Sequence, residues 1–410
     1  MALFTVETYR ELKPHDEQEW LLTNGLGGFA SSTIVGMNTR RYHGLLCAAT
    51  LPPVGRVMTI NRIGEILTLD GKSDQLLEFS CNAFRGSVHP RGDQYLDRFE
   101  LDDTARWHYD VEGVHVTKQL QMLWLKNVVA VRYTVDAGGT RPFELRLLPF
   151  ASLRDFHATR HAGSASFRVE AGDRRVTVGE GPHEVTITSD DGSFTQQGDW
   201  WYGHVYPIET ERGQDDVEDL FSPGRFVLSG QGKGTITLWI GLEPTPPGDW
   251  EAERKRRCDA VAAACTEPEN IGAGREHGMV TPAMGGRLHP VAASKSAVVQ
   301  KLFRASNDFV VYRKSPSGED GTSVIAGYPW FSDWGRDTMI SLPGLLLVPG
   351  RYRQAREVLT VFAQYVSEGM IPNRFDDYTN EPSYNTVDAS LWFVHAVHEY
   401  ARLSHDSRTF

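Results

Sequence analysis

The hydrophobic and polar positions of this chain change period near residue 246. Before it, apolar residues alternate or run in short pieces rich in valine and aromatics. Examples are "HVTKQLQMLWLKNVVAVRYTVD" (115–136) and "PFELRLLPF" (142–150). Alternation places successive side chains on opposite faces of a strand. "RRVTVGEGPHEVTITSDDGSF" predicts a hairpin around "GEGPH", and "RFVLSGQGKGTITLWIGLE" predicts another that turns at "GQGKG". "NGLGGFASS" reads as a β-turn followed by a strand, because it lacks the lysine of a nucleotide loop and the dinucleotide glycine spacing. Many short strands with no helical pattern between them predict an antiparallel β-sandwich over residues 1–246.

"PTPPGD" (244–249) ends that regime. "WEAERKRRCDAVAAAC" then reads as a helix, followed by a polar, glycine-containing stretch from Thr266 to about Arg287. Together they form a helical linker over 247–289. From Pro290 to Phe410 the period is 3.6. "VAASKSAVVQKLFRASNDFVVYRK" (291–314) predicts one amphipathic helix. "DTMISLPGLLL" predicts a shorter helix that must kink or begin late at Pro343. "RYRQAREVLTVFAQYVSEG" predicts a third that stops at Gly369, and "TVDASLWFVHAVHEYARLS" a fourth. Helices joined by loops, with no strands long enough for βαβ units, suggest a helical array or an α/α barrel. Aromatic and charged clusters fall in the loops at helix ends, so one rim is expected to carry the chemistry.

Composition narrows the partners. The 410 residues are 40% hydrophobic and carry a net charge of −11. The longest basic cluster, "ERKRRCDA", is flanked by acids and reads as a solvated helix face, so nucleic acid is not an expected partner. No signal-peptide pattern opens the chain, and no apolar run is long enough to span a membrane. Cys47, Cys81, Cys258 and Cys265 lack metal spacing and read as reduced structural residues of a cytoplasmic protein. Cys258 and Cys265, seven apart, are expected on one buried helix face. His395 and His398 lie three apart with no acid placed to complete a metal triad, so neither metal nor cofactor is expected.

"YPWFSDWGRDTMI" (328–340) holds the densest chemistry. Aromatic faces bind the C–H side of a sugar ring, and carboxylates with arginine bind its hydroxyl edge. Tyr328, Trp330 and Trp334 supply faces, and Arg336 and Asp337 supply the edge. The structural alternative makes Trp330 and Phe331 core residues and pairs Arg336 with Asp333 or Asp337. A second loop, 369–388, carries Asp376, Asp377, Glu381 and Asp388. Asp388 begins an apolar helix, where a carboxylate serves equally as a cap or dipole partner. A general acid there needs burial, against Trp392 or Phe393, to offset the helix N-terminus.

These motifs resemble the bacterial and archaeal glycogen-debranching proteins of the amylo-α-1,6-glucosidase type. "EWLLTNGLGGFASSTIVGMNTRRYHGLL" (19–46) and "DWWYGHVYPIETERGQDDVEDLFSPGRF" (199–226) are similar to two signatures of their β-domain. "YPWFSDWGRDTMISLPGLLL" and "YNTVDASLWFVHAVHEY" are similar to the leading motifs of their catalytic domain. The resemblance implies a β-sandwich followed by an (α/α)6 barrel. It also implies a cofactor-free, inverting glycosidase that acts on glycogen or limit dextrin. Carried onto this chain, Trp334, Arg336 and Asp337 hold the terminal glucose, with Tyr328, Trp330 and Asn385 in the substrate set. Asp388 is the general acid. "RRYHG" (40–44) and "RDFH" (154–157) are expected as charged loops that either shape the pocket or seal a domain junction.

The sequence departs from the family in its helical part, where four helical patterns suffice only for an incomplete barrel. The resemblance puts the general base beyond residue 410, since neither Glu399 nor Asp406 matches it. This predicts a fragment, a partner chain that completes the barrel, or a degraded product, and little glucose release by the chain alone. Two rival readings stay open. One is a different (α/α)6 glucosidase such as a glucoamylase or a trehalase, the β-domain motifs arguing against the trehalase. The other is a glucan-binding remnant without turnover.

Overall fold

The computed structural model describes residues 4–7, 18–72, 74–265, 289–291, 293–315 and 317–406. The polar stretch expected between Thr266 and Arg287 and the terminal Phe410 lie outside them, as does most of the leading segment. The described chain forms two compact units. One is built from Met1–Thr23, Gly28–Ala48 and Arg56–Trp250, the other from Asn24–Gly27, Ala49–Gly55 and Glu251–Phe410.

The first unit is β, as the alternation predicts. A nine-stranded antiparallel sheet runs in the spatial order Phe4–Glu7, Leu96–Leu101, Ala105–Val111, Val114–Met122, Val128–Asp136, Lys233–Gly241, His183–Ser189, Arg175–Glu180, Arg168–Gly172. A second runs Ser193–Val205, Val217–Gln231, Pro142–Asp155, Val54–Leu69, Gly44–Leu51, Phe29–Thr33, Glu19–Thr23, with Leu77–Glu78 paired beside Val54–Leu69. Their inner faces share one core. Val129, Val131, Tyr133 and Val135 project from the first sheet, and Leu67, Leu145, Leu147 and Phe226 from the second. Residues one position off, Val128 and Ala130, face the other side, where Trp239 and Trp250 cover them. That is the period-2 pattern read as two buried faces.

The hairpin around "GEGPH" forms, but the one expected at "GQGKG" does not. Val217–Gln231 pairs in the second sheet and Lys233–Gly241 in the first. The chain crosses between sheets at Gly232, whose φ is +69° and whose added Cβ would lie 2.2 Å from the Gly139 carbonyl oxygen. Alternation marks a strand without naming its partner. A short helix, α1 (Pro207–Glu211), interrupts the β region.

The two motifs expected as charged loops are partly core. Arg154 is the penultimate residue of the strand Pro142–Asp155 and is buried against Glu218, with Arg154 Nη2 donating to Glu218 Oε2 at 2.9 Å and to the Arg41 carbonyl at 2.7 Å. Tyr206 donates its hydroxyl to Glu218, Asn61 Nδ2 donates to Tyr206, and Asn38 Nδ2 donates to Asn61 Oδ1 at 2.9 Å. Burial and the adjacent Glu218 carboxylate both push the Tyr206 phenol up.

The second unit is mainly helical. α2 (Trp250–Ala264) spans the unit boundary. On it, Cys258 is exposed while Cys265, just past its end, is buried, so the two do not share one buried face. The helix expected over 291–314 is shorter. α3 (Ala297–Asp308) ends, and Val310–Lys314 becomes a strand paired with Asp320–Val324. The β-branched run Val310–Val311 finds ladder partners there, which override its helical spacing. α4 (Gly335–Leu342) gives way to a π-helical turn, Pro343–Leu347, at the proline where a kink or a late start was expected. Pro343 has no N–H to give, and its carbonyl accepts from Val348 at 2.9 Å. α5 (Tyr352–Gln364) stops before the expected Gly369, which instead has a φ of +80° beside the bridge of Ser367 with Met370. A hairpin of Arg374–Phe375 with Pro382–Ser383 follows, then α6 (Asp388–Ser404). Met339, Leu346, Val358, Phe362, Ala396 and Tyr400 form the core of α4, α5 and α6. Leu391 and Val394 on α6 are exposed at 69% and 67%. Among the described residues, no helix is long and apolar enough to cross a membrane.

Arg313 and Asp333 are both fully buried and pair at 2.8 and 2.9 Å. The guanidinium lies 3.7 Å from the centre of the Phe375 ring and donates to Asn380 Oδ1 at 2.6 Å. Ser323 donates to Asp333 at 2.6 Å. Asp333→Asn leaves the guanidinium without its counter-charge. The expected loss is about 3–5 kcal/mol, checked by denaturant unfolding followed through tryptophan fluorescence.

His204 in the first unit is buried beside Phe84. Burial first, and then the Arg62 charge, pull its imidazole down to about 3. The folded state therefore keeps His204 neutral while the unfolded chain takes up a proton below about 6.5. Its contribution is complete above that pH and is lost as pH falls toward about 3. Unfolding free energies of wild type and His204→Gln, measured between pH 7 and 4, should show the shallower acid slope in the variant.

Candidate functional site

Helix α4 presents the first motif. Trp334 is its N-cap residue, with Arg336 and Asp337 in the first turn. The helix can start here because Gly335 lies against the next loop. An added Cβ would stand 2.2 Å from the Pro372 carbonyl oxygen. The Gly335 and Arg336 N–H groups donate to the Asn373 carbonyl (2.8 Å) and to Asn373 Oδ1 (3.2 Å). Trp334 also forms a bridge with Arg374, and its ring meets Phe331 edge-on at 5.5 Å.

The second motif arrives from the other side of that loop. Asp388 is the first residue of α6, and Val387 provides no side-chain cap. Asp388 does not act as a cap here. Its Oδ2 accepts from Arg336 Nη1 at 3.3 Å, across 52 residues of sequence. Both side chains are about two-fifths exposed, 41% and 43%. An exposed pair of this kind is worth at most about 1 kcal/mol, so a ligand rich in hydroxyls can replace it. Asn385 accepts from Asn373 Nδ2 at 3.2 Å and is itself exposed.

The structural alternative for this motif is not what forms. Asp333 is taken by Arg313, and Arg336 turns to Asp388. Phe331 is 45% exposed rather than core, and Trp330 is partly buried. Asp337 is exposed, and its main-chain carbonyl accepts from Ser341 Oγ at 2.7 Å. Tyr328 is partly buried with its ring 6.3 Å from that of Phe309. Arg336, Asp388 and Asn385 are thus linked through contacts, while Trp334 and Asp337 flank Arg336 along the chain.

Three of the other acids are engaged elsewhere. Asp376 Oδ1 accepts from the N–H groups of Tyr378 and Thr379, each at 2.9 Å, and these bonds, Thr379 first, hold its carboxyl below the usual range. Glu399 accepts from Arg402 at 2.6 Å, and Asp406 from the Tyr400 hydroxyl at 2.9 Å. Among the described residues, no three His, Cys, Asp or Glu side chains converge as a metal site. Sequence reasoning missed Asn373, which is 1% exposed and bridges both motifs. A lone asparagine after proline in a loop reads as turn chemistry, and nothing local marks it as a bridge.

Residues 18–237 match the family model described as glycogen debranching enzyme N terminal, and residues 304–410 match amylo-alpha-1,6-glucosidase. A Saccharomyces cerevisiae protein named glycogen debranching enzyme is 40% identical over 116 residues, which is 26% of this chain and 8% of that protein. Among solved structures, a bacterial glucoamylase complexed with acarbose aligns over 98% of this chain and 56% of its own, with 10% identity and a TM-score of 0.48. A putative kojibiose phosphorylase from human microbiome aligns over 98% and 54%, with 8% identity and the same TM-score. The chain thus spans little more than half of these structures and a small part of the yeast protein. With the first family model matching more than half of its residues, the chain belongs to the glycogen debranching enzyme family.

Proposed function

We propose that the helical unit binds the terminal glucose of a branched α-glucan, glycogen or its limit dextrin. There it supplies the general acid of an inverting α-1,6-glucosidase. The helices would form part of an (α/α)6 barrel, working without a cofactor in the cytoplasm. What carries this reading is the 3.3 Å approach of Arg336 to Asp388, two exposed side chains from separate motifs. The matched amylo-alpha-1,6-glucosidase model supports the choice of bond.

Asp388 is 43% exposed here and lacks the burial expected of a general acid, so in this mechanism the sugar both displaces Arg336 from Asp388 and covers the carboxyl. Arg336 and Asp337 take the hydroxyl edge of the ring, together with Asn385, and Trp334 offers a face to its C–H side. Tyr328 and Trp330 complete the aromatic wall. A protonated Asp388 gives its proton to the glycosidic oxygen as the C1–O bond breaks. A second carboxylate, about 6.5–9.5 Å from the first, takes a proton from water as that water attacks C1 from the opposite face. The products are glucose with inverted anomeric configuration and the debranched chain.

Tryptophan fluorescence titrated with a limit dextrin tests the binding step. Saturable binding is expected, weakened about tenfold or more by Arg336→Ala, a loss of ~1.4 kcal/mol. Glucose release from an α-1,6-linked oligosaccharide, compared with an α-1,4-linked one, tests the chemistry. Asp388→Asn should lower any α-1,6 release by about 10²–10⁴-fold while retaining binding. Because little release is expected of the chain alone, binding without release leaves both the glucosidase reading and the glucan-binding alternative standing, and no binding overturns both.

A further inference from the structure

Helix α4 begins without a cap of its own. Its N-cap residue, Trp334, has no side-chain oxygen to offer the first N–H groups, which an isolated helix leaves unsatisfied. The missing acceptors come from Asn373. Its carbonyl oxygen takes the Gly335 N–H, and its side-chain oxygen takes the Arg336 N–H. The N–H of Arg336 can only donate, so the asparagine atom facing it is Oδ1. That leaves Nδ2 to donate to Asn385 Oδ1 at 3.2 Å. The Asn373 N–H donates to the Ser383 carbonyl at 2.9 Å. One buried residue therefore grips both segments of the site. One segment carries Arg336, and the other carries Asn385 and then Asp388.

We propose that Asn373 is a positioning residue of the sugar site, its amide setting the separation of Arg336 and Asp388 by bridging the first turn of α4 to Asn385. The proposal rests on the reading of Arg336 and Asp388 as glucan-site residues. The bridge needs an acceptor and a donor on one planar group of this length. Aspartate keeps the acceptor, and at a helix N-terminus its charge favours the helix. It has no hydrogen to give Asn385 Oδ1, and the Asn385 amide can then bridge only by turning over, which swaps the atoms it presents to the sugar. Alanine lacks both. The two variants therefore separate capping from bridging.

The test uses the full 410-residue chain as wild type, Asn373→Asp and Asn373→Ala, with a limit dextrin as the probe. Three quantities are read: melting temperature, dextrin affinity, and amide hydrogen exchange across residues 335–337 and 384–388. For Asn373→Asp, the expected result is a melting temperature near wild type, an affinity about tenfold weaker, and faster exchange at 384–388 only. Asn373→Ala should melt lower and exchange faster in both segments. A merely structural role would leave Asn373→Asp binding as tightly as wild type with unchanged exchange at 384–388, and that result would overturn the proposal. Should wild type bind no dextrin, the functional reading fails. The exchange comparison, which needs no ligand, then still decides whether Asn373 couples the two segments.

Discussion

A guanidinium with no access to water must be compensated where it lies, and in the helical unit that requirement falls on Arg313. Asp333 supplies the charge, Asn380 a further acceptor and Phe375 an aromatic face. These partners come from the segment ahead of α4 and from the hairpin ahead of α6, while Arg313 itself sits on the strand after α3. Satisfying one buried charge therefore fixes three chain segments against each other. Two of them lead directly into the residues of the candidate site. A buried pair of this kind adds less to stability than its removal would cost, so its consequence is mainly one of arrangement.

On that frame, the start of α4 sacrifices a local preference. A tryptophan stands where serine, threonine or aspartate would cap the helix, and the cap is supplied from elsewhere in the chain. Gly335 is required by the close approach of the Pro372 carbonyl. The start of α6 shows the same choice in another form, since the carboxylate of Asp388 is directed to Arg336. Departures from local rules are expected at functional or strained places in a fold, and here two of them recur side by side. The exposure of the Arg336–Asp388 pair completes the contrast with Arg313–Asp333. The buried pair is locked, and the exposed one is weak enough to open for a ligand.

The β-unit meets the cost of burying polar groups in its own way. Arg154, Glu218, Tyr206, Asn61 and Asn38 form a connected series of hydrogen bonds, joining strands that are distant in sequence. Each member satisfies its neighbour, so the buried Arg154–Glu218 pair leaves no lone charge within the series. The motifs that the sequence presents as charged loops thus include a buried framework, with Arg154 holding the main chain at Arg41.

The sequence by itself determined the class of each half, an interruption of the α-helix at Pro343, and membership of a glycosidase family through motifs that survive as contiguous words. These depend on side-chain periodicity and on local backbone chemistry, both of which are written within a few residues of each other. Only the tertiary structure decided that the strands on either side of Gly232 belong to different sheets, and that Val310–Lys314 leaves its helical pattern for a ladder. It alone paired Asp333 with Arg313, sent Asp388 to Arg336, and put Asn373 between the two motifs. Pairing is a property of chain segments brought together across tens of residues. The free energy that selects one partner over another comes from burial and from hydrogen-bond satisfaction, which no local pattern records.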